Sequence, residues 1–528
     1  MSEQNTLPSG PGKPKSGTVY RSAMVNSPEE PPEPPMPPPR IGAATPLPPA
    51  VPSAAAPPTP IAPPPGGQPN RQGHRGQPEP RGPDEAEQDG KGGAHRHPDA
   101  GSSKAIMEDL SETGVAMVNW TWSTQRQHTA LALLVFTIGV APIALLPSDS
   151  PTYAGIANIA PTIHTYTLTL LAALAFIALR EPARSRAALL PWAPLALWLL
   201  VLTLTAWDAS ARAWSGVLQL CLGAGAFIIG RVWAARDRRF NVLSWLFAAV
   251  AWIQLFAAGL AAVGLPLRTI TGAQALDIKG RATALTAHPG ELAKLLFFCA
   301  VCTLLLPQRH RWHRWVVWST LAAVFAGVFL SQSRTVLVAV VAMVGLSVLL
   351  ELIGGRWQRR HFVIVGMTAL LGAASLPWLI QRFSADPGGG ARNHLLDVAL
   401  KTIGDNLWTG VGANSYVAVV GATDSLTQTG VPVHNMFLLS IAELGIIGAL
   451  ALWLPLTMIT VQAVRQLWRS RGADPAARVL VSAMPGICLI GATGWGLMQG
   501  PYLLVFLLVT GYLGARVGAR DRGADDVD

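Results

Sequence analysis

Long apolar runs separated by short polar segments fill the chain from about residue 129 to residue 516. Each run contains roughly 17 to 25 residues, which is the length that an α-helix needs to cross a bilayer. The pattern predicts spans at residues 129–147, 162–179, 187–205, 216–233, 240–262, 291–307, 315–331, 335–354, 361–379, 435–456, 478–497 and 501–516. We therefore expect an all-α polytopic membrane protein with about twelve transmembrane helices.

The polar segments between the runs differ in charge, and every second one is rich in arginine. The arginine-rich segments are residues 180–186, 231–239, 308–314, 356–361, 465–478 and 515–522. Basic loops remain on the cytoplasmic side of a membrane. Both termini are therefore predicted to be cytoplasmic. The long loop 380–434, between spans nine and ten, is predicted to lie outside, in the periplasm or the extracellular space.

The chain before the first run has a different composition, with proline-rich stretches such as EEPPEPPMPPPR. Such a segment cannot bury enough apolar surface to offset the entropy lost on ordering it. We interpret residues 1–103 as a disordered cytoplasmic tail and residues 104–128 as a juxtamembrane segment. The transmembrane domain is predicted to comprise residues 129–516, including loop 380–434, and residues 517–528 are predicted to form a second cytoplasmic tail.

The composition agrees with a membrane protein, because 50% of the residues are hydrophobic and only 13% are charged. A typical soluble domain has about 25% charged residues. The formal net charge of +10 could indicate a nucleic-acid partner. We exclude that class because the arginines cluster in short loops, where they determine orientation. The four cysteines lie in apolar runs, so no disulfide framework is predicted, and no cofactor or metal is expected.

A small set of polar residues lies on the predicted outer face, mostly close to the ends of spans. These candidates are Arg281, His288, Arg334, Arg382, Arg392, His434 and Asn435. Arginine binds phosphate oxygens in a bidentate manner and keeps its charge, and histidine is the usual general base near neutral pH. Because ATP is absent outside the cytoplasmic membrane, the pattern favours an anionic substrate that arrives already activated.

Several of these polar residues also have a purely structural explanation. Arg281 could be a snorkelling anchor at the membrane surface, and His434 could bond to the backbone where the tenth span begins. Arg334 is harder to explain in this way, since a charge in a short turn between two spans is costly unless it is paired. Glu443, within the tenth span, could be functional or could pair with a neighbouring helix, and the second interpretation is favoured.

Four stretches resemble the O-antigen ligase and O-antigen polymerase superfamily of membrane glycosyltransferases. They are GRATALTAHPGELAKLL, SQSRTVLVAVV, RNHLLDVALKTIGDNLWTGVGANSY and HNMFLLSIAELGIIGAL. The last is the most specific, with histidine and asparagine at the end of the outer loop before a helix that contains glutamate and two glycines. The third ends in the family's pattern at Gly410, Gly412 and Tyr416. In the first, Gly290 replaces a residue that is often polar in the family.

The resemblance implies a GT-C-like fold and a metal-independent, inverting transfer of a glycan from an undecaprenyl diphosphate carrier to an acceptor hydroxyl. Arg281 and Arg334 would hold the diphosphate. Arg392 would hold the diphosphate or the glycan, and His434 would act as the base on the acceptor. The remaining substrate-binding positions are expected to be His288, Arg382 and Asn435.

The resemblance also implies a role in bacterial envelope polysaccharide assembly, at the cytoplasmic (inner) membrane. We favour a polymerase of lipid-linked repeat units, with a ligase that joins a finished glycan to a lipid A-core or other acceptor as the alternative. The expected partners are the lipid-linked donor, an acceptor glycan or glycolipid, membrane lipids, and a chain-length regulator or flippase. A transporter of lipid-linked glycans would require charges at the bilayer midplane and internal repeats, and a scaffold would leave the outer arginines unexplained.

The predicted orientation can be tested by thiol labelling in intact cells. We replace the four native cysteines and introduce a single cysteine at Ser148 or Ser470. A membrane-impermeant thiol reagent should label the Ser148→Cys chain and leave the Ser470→Cys chain unlabelled until the cells are opened. The reverse labelling pattern would contradict the orientation and place the arginines and His434 in the cytoplasm.

Overall fold

The computed structural model describes the larger part of the chain after residue 124. The described residues are 125–143, 145, 163–207, 211–237, 241–263, 265, 280–307, 311–355, 391–498 and 500–518, with single positions between 366 and 384. All of them lie in one compact unit, residues 96–528. The predicted proline-rich tail, most of the predicted ninth span and Arg382 lie outside the described residues.

The described part of the chain consists of α-helices and their connections, without a β-strand. In chain order the helices are α1 (125–139), α2 (Thr165–Arg180), α3 (Pro182–Leu189), α4 (Ala193–Thr205), α5 (Ala211–Arg236), α6 (Val242–Ala262), α7 (Pro289–Thr303), α8 (Arg311–Ser331), α9 (Arg334–Ile353), α10 (Arg392–Asp405), α11 (Tyr416–Val420), α12 (Ser425–Gln428), α13 (Met436–Arg469), α14 (Pro475–Ala492) and α15 (Gly500–Arg516).

Seven segments in the described part of the chain are long and apolar enough to cross a membrane. They are Pro182–Thr205, Arg212–Arg236, Val242–Ala262, Arg311–Ser331, Arg334–Ile353, Met436–Arg469 and Pro475–Ala492. Thr165–Arg180 and Gly500–Arg516 are shorter apolar helices. The prediction of an all-α polytopic membrane protein is therefore confirmed.

Helices α5 and α15 pack with their backbones in close contact. A Cβ atom on Gly230 would lie 2.2 Å from the Leu508 carbonyl oxygen, and one on Gly511 would lie 2.3 Å from the Phe227 carbonyl oxygen. Small residues permit this close approach between membrane helices. The two glycines therefore make this pair of helices a rigid part of the bundle.

Helix α13 is longer than the predicted tenth span and is broken near its N-terminal end. It has 34 residues, about 51 Å of helix, whereas the hydrocarbon core is about 30 Å thick. Gly445 interrupts it with φ 68° and ψ 173°, a conformation that only glycine adopts readily. Gly445 is the first of the two glycines in the HNMFLLSIAELGIIGAL motif, and in the structure it breaks the helix.

The outer loop and α4 supply hydrogen bonds to the polar backbone groups of the broken turn. The bonds join Val411 N to Ala442 O (2.8 Å), Gly412 N to Glu443 O (3.0 Å), Ile446 N to Leu407 O (2.8 Å) and Trp198 Nε1 to Leu444 O (3.0 Å). A buried backbone group without a partner is costly in a membrane. The break in α13 and the position of segment 407–412 are therefore mutually dependent.

The glycine at position 445 can be tested by substitution. A Cβ atom at Gly445 would lie 2.0 Å from the Trp408 carbonyl oxygen, and the backbone conformation itself would be strained by about 1–3 kcal/mol. We expect Gly445→Ala to lower the thermal unfolding temperature of the purified protein and to expose the outer loop to protease. The control is Gly345→Ala in α9, where the added Cβ would meet no atom within 4 Å. Equal stability of the two variants would contradict the structural role of the break.

Candidate active site

The start of α13 is fixed by the side chain that follows His434. The Asn435 Oδ1 atom accepts hydrogen bonds from Phe437 N (3.0 Å) and Leu438 N (3.1 Å), which is the usual way for asparagine to cap a helix. Asn435 was predicted to bind substrate. In the structure its oxygen is engaged in the cap, so its amide nitrogen is the part that remains for a ligand.

His434 is half-buried directly before this cap. Burial, together with the positive charges of Arg392 and Lys294, lowers its pKa from the usual 6.5 to about 4, and the Pro432 carbonyl acts in the opposite direction. The Nδ1 atom is buried. His434 is therefore a neutral imidazole at physiological pH, in the protonation state that a general base requires.

His288 lies close to His434 and caps helix α7. Its Nδ1 atom accepts a hydrogen bond from Gly290 N at 2.9 Å, so the neutral ring carries its proton on Nε2. Burial, together with the charges of Lys294, Arg281 and His434, lowers the pKa of His288 to about 4. The accepting nitrogen is thus already occupied, and His288 is suited to donate a hydrogen bond to a ligand.

Arg281 lies beside the short turn between α8 and α9. Its Nε atom donates to the Ser331 carbonyl at 3.0 Å, and Ala282 N donates to Leu330 O at 3.0 Å. Arg334 is the first residue of α9, immediately after this turn. The two arginines, which are far apart in sequence, are therefore brought to one end of the bundle.

The segment that carries Arg281 and His288 is held to α6 by a buried glutamine. Gln254 accepts a hydrogen bond from Leu285 N (3.1 Å) and donates one to Gly139 O (2.6 Å). Gln254 is almost fully buried, so it ties the segment to the helical core. This contact fixes where the chain enters α7 and hence the position of His288.

The segment between α9 and α13 contributes Arg392 and a hydrogen bond between a histidine and an aspartate. Arg392 is exposed at the first position of α10, close enough to His434 to affect its titration. His394 Nε2 lies 2.6 Å from Asp424 Oδ1. Hydrogen bonds from Thr427 and His394 lower the pKa of Asp424 to about 2. His394 therefore joins α10 to the start of α12 and is not a free base.

The glycine-tyrosine motif of the loop lies against the broken turn of α13. A Cβ atom on Gly410 would lie 2.4 Å from the Glu443 backbone, and Tyr416 is fully buried. The Glu443 carboxylate accepts a hydrogen bond from Tyr416 N at 3.4 Å, and the Asn414 backbone provides another. The favoured interpretation of Glu443, an ion pair with a neighbouring helix, gives way to a contact with the loop backbone.

Lys294 and Glu291 belong to the site but were not among the sequence candidates. Both are half-buried in α7, and their charges attract each other. The Tyr502 hydroxyl donates to Glu291 Oε2 at 3.2 Å, and Lys294 acts on both histidines. An acid and a base three residues apart in an apolar run were the signal that would have revealed this pair.

The described architecture is that of a multi-pass helical membrane protein with a group of cationic and imidazole side chains at one end. A comparison with protein families adds a match to part of this chain. Residues 319–453 match the O-antigen ligase family, and the matched stretch includes Arg334, Arg392, His434 and Asn435. The resemblance to the O-antigen ligase and polymerase superfamily is thereby confirmed. In a comparison with curated proteins, no individual protein matches the chain.

This family match supports a function in envelope polysaccharide assembly, with a glycosyltransferase-like activity of the ligase or polymerase kind. The matched stretch begins after Arg281, His288 and Lys294. Arg281 is joined to this stretch by its hydrogen bond to the Ser331 carbonyl. His288 interacts electrostatically with His434, which lies within the stretch. The candidate site therefore combines residues from the matched family domain with residues from the preceding segment.

Proposed function

We propose that this protein transfers a glycan from an undecaprenyl diphosphate carrier to an acceptor hydroxyl on the outer face of the bacterial cytoplasmic membrane. The observation that carries the proposal is the grouping of His434 with His288, Arg281, Lys294 and Arg392, whose charges act on one another. A diphosphate is the kind of ligand that such a group attracts, because arginine and lysine both bind phosphate oxygens.

Helix dipoles add to this argument. Arg334 and Arg392 are the first residues of α9 and α10, and neither helix has an acidic residue in its first turn. A helix N-terminus carries partial positive charge and favours anions. An arginine and a helix N-terminus at the same place both attract anions, so this arrangement favours an anionic ligand.

The proposed reaction is a direct displacement at the anomeric carbon. The acceptor oxygen attacks that carbon as the bond to the diphosphate oxygen breaks, and the electrons of that bond leave with the carrier diphosphate. His434 takes the proton of the acceptor hydroxyl, through Nε2 because Nδ1 is buried. Arg281 and Arg334 stabilise the leaving diphosphate, so this reaction needs no metal ion to neutralise it. The configuration at the anomeric carbon is inverted.

Two kinds of acceptor fit this chemistry. We favour a lipid-linked repeat unit as acceptor, which makes the protein a polymerase. The description of the matched family as O-antigen ligase favours the second candidate, a ligase that transfers a finished glycan to a glycolipid. A transporter is disfavoured because the candidate charges collect at one end of the bundle, whereas transporter sites lie near the midplane.

Deletion of the gene separates the two candidates. If the protein is a polymerase, electrophoresis of the extracted glycans should show single capped repeat units in place of long chains. If it is a ligase, polymer should accumulate on the lipid carrier. A glycan profile that the deletion does not change would contradict both candidates.

The role of His434 is tested with purified protein and lipid-linked donor. General base catalysis contributes about 10²–10⁴-fold, so His434→Ala should reduce transfer by that factor and leave donor binding largely intact. Arg334→Ala should weaken both donor binding and transfer, and Arg334→Lys should restore only part of the loss, because a point charge cannot replace a bidentate contact.

The matched control is His313→Ala. His313 lies near the start of α8, at the opposite end of that helix from the Arg334 turn, and packs against Trp245. The His313→Ala variant should transfer glycan at the wild-type rate. A His434→Ala variant that also transfers at the wild-type rate would show that His434 only precedes the helix cap and is not the base.

A further inference from the structure

Lys294 occupies a position that the fold alone does not explain. It lies in the second turn of α7 and is half-buried among the helices, where a charge is costly unless it is paired. Its charge acts on both His288 and His434. The ammonium group is therefore near both rings of the candidate site.

The side chains whose charges act on the two histidines are basic. They are Arg281 and Lys294 for His288, and Arg392 and Lys294 for His434. Lys294 is the one that acts on both rings. Glu291 is the carboxylate that faces Lys294, and it also accepts a hydrogen bond from Tyr502 on α15.

The space for the ammonium group comes from a glycine on another element. Gly496, buried between α14 and α15, has no side chain, and a Cβ atom there would lie 2.1 Å from Lys294 Nζ. The nearby Gly494 does not have this relationship, since a Cβ atom there would meet only the Ile490 carbonyl oxygen, at 3.5 Å. The missing side chain at Gly496 therefore leaves room for the Lys294 ammonium group, and the missing side chain at Gly494 does not.

We propose that Lys294 is a third cation of the donor site, held by Glu291 and accommodated by Gly496, and that its ammonium group binds the diphosphate of the lipid-linked donor. This inference rests on the proposed function. Lysine is a compact point charge that binds phosphate oxygens without the planar geometry of arginine. Because its charge acts on both histidines, Lys294 would bind the diphosphate together with Arg281.

Donor binding to the purified full-length chain tests the proposal, with undecaprenyl diphosphate in detergent as the probe. A hydrogen bond to a charged group contributes about 10- to 100-fold in affinity, so Lys294→Met should weaken binding by about that factor. Lys294→Arg should retain part of it. Gly496→Ala should weaken binding in the same direction, because the new methyl group displaces the ammonium group. Gly494→Ala is the control and should bind as the wild type does.

A pH profile of transfer tests the placement of Lys294 beside His434. Lys294 disfavours the charged form of His434 and so lowers its pKa. Its removal should raise that pKa, and the acid limb of the profile should move to higher pH in Lys294→Met. An acid limb that does not move would contradict the placement of Lys294 in the site.

The outcomes are distinguishable. If the wild type does not bind undecaprenyl diphosphate, the proposed function fails. If the wild type binds and both Lys294→Met and Gly496→Ala bind equally well, the assignment of Lys294 is overturned while the proposed function stands. If Lys294→Met does not fold, Gly496→Ala decides, because it retains the lysine and its charge.

Discussion

The backbone hydrogen bonds between segment 407–412 and the broken turn at Gly445 are the constraint on which the candidate site depends. A continuous α13 would satisfy its own carbonyl groups and offer nothing to the loop. The break exposes the carbonyls of Ala442 and Glu443, and Val411 and Gly412 donate to them. The loop is thereby fixed against the membrane domain, and α10, which carries Arg392, is fixed with it. The distance between Arg392 and His434 is thus determined by backbone contacts.

Electrostatics then determines what this fixed geometry can bind. Burial and neighbouring cations keep both His288 and His434 neutral, so the rings can donate to and accept from a ligand without adding charge. The arginines supply fixed positive charge. In the proposed reaction, such a site separates two tasks, since the cations would bind the leaving group and an imidazole would move the proton. A single set of charged histidines could not perform both tasks.

The spans and the family resemblance could be predicted because they depend on local composition and on short motifs. The apolar runs and the cluster around His434 and Asn435 are visible without any knowledge of the fold. The break at Gly445 could not be predicted, because a glycine in an apolar run indicates close packing as readily as an unusual φ. The partner of Glu443 was missed for a related reason: a carboxylate suggests a cation, whereas the structure satisfies it with the backbone N–H group of Tyr416. Lys294 was missed because its meaning depends on Gly496, about two hundred residues later in the chain.

The helix termini explain why the site is located where it is. His288 and Asn435 cap α7 and α13, and Arg334 and Arg392 begin α9 and α10. Each of these helices directs its N-terminal partial positive charge to the end of the bundle where these residues lie. Arg334 and Arg392 add full positive charge at two of these termini. An anion bound there would interact favourably with the arginines and with the dipoles together. Affinity for a diphosphate would then come from the architecture of the bundle as much as from any single side chain.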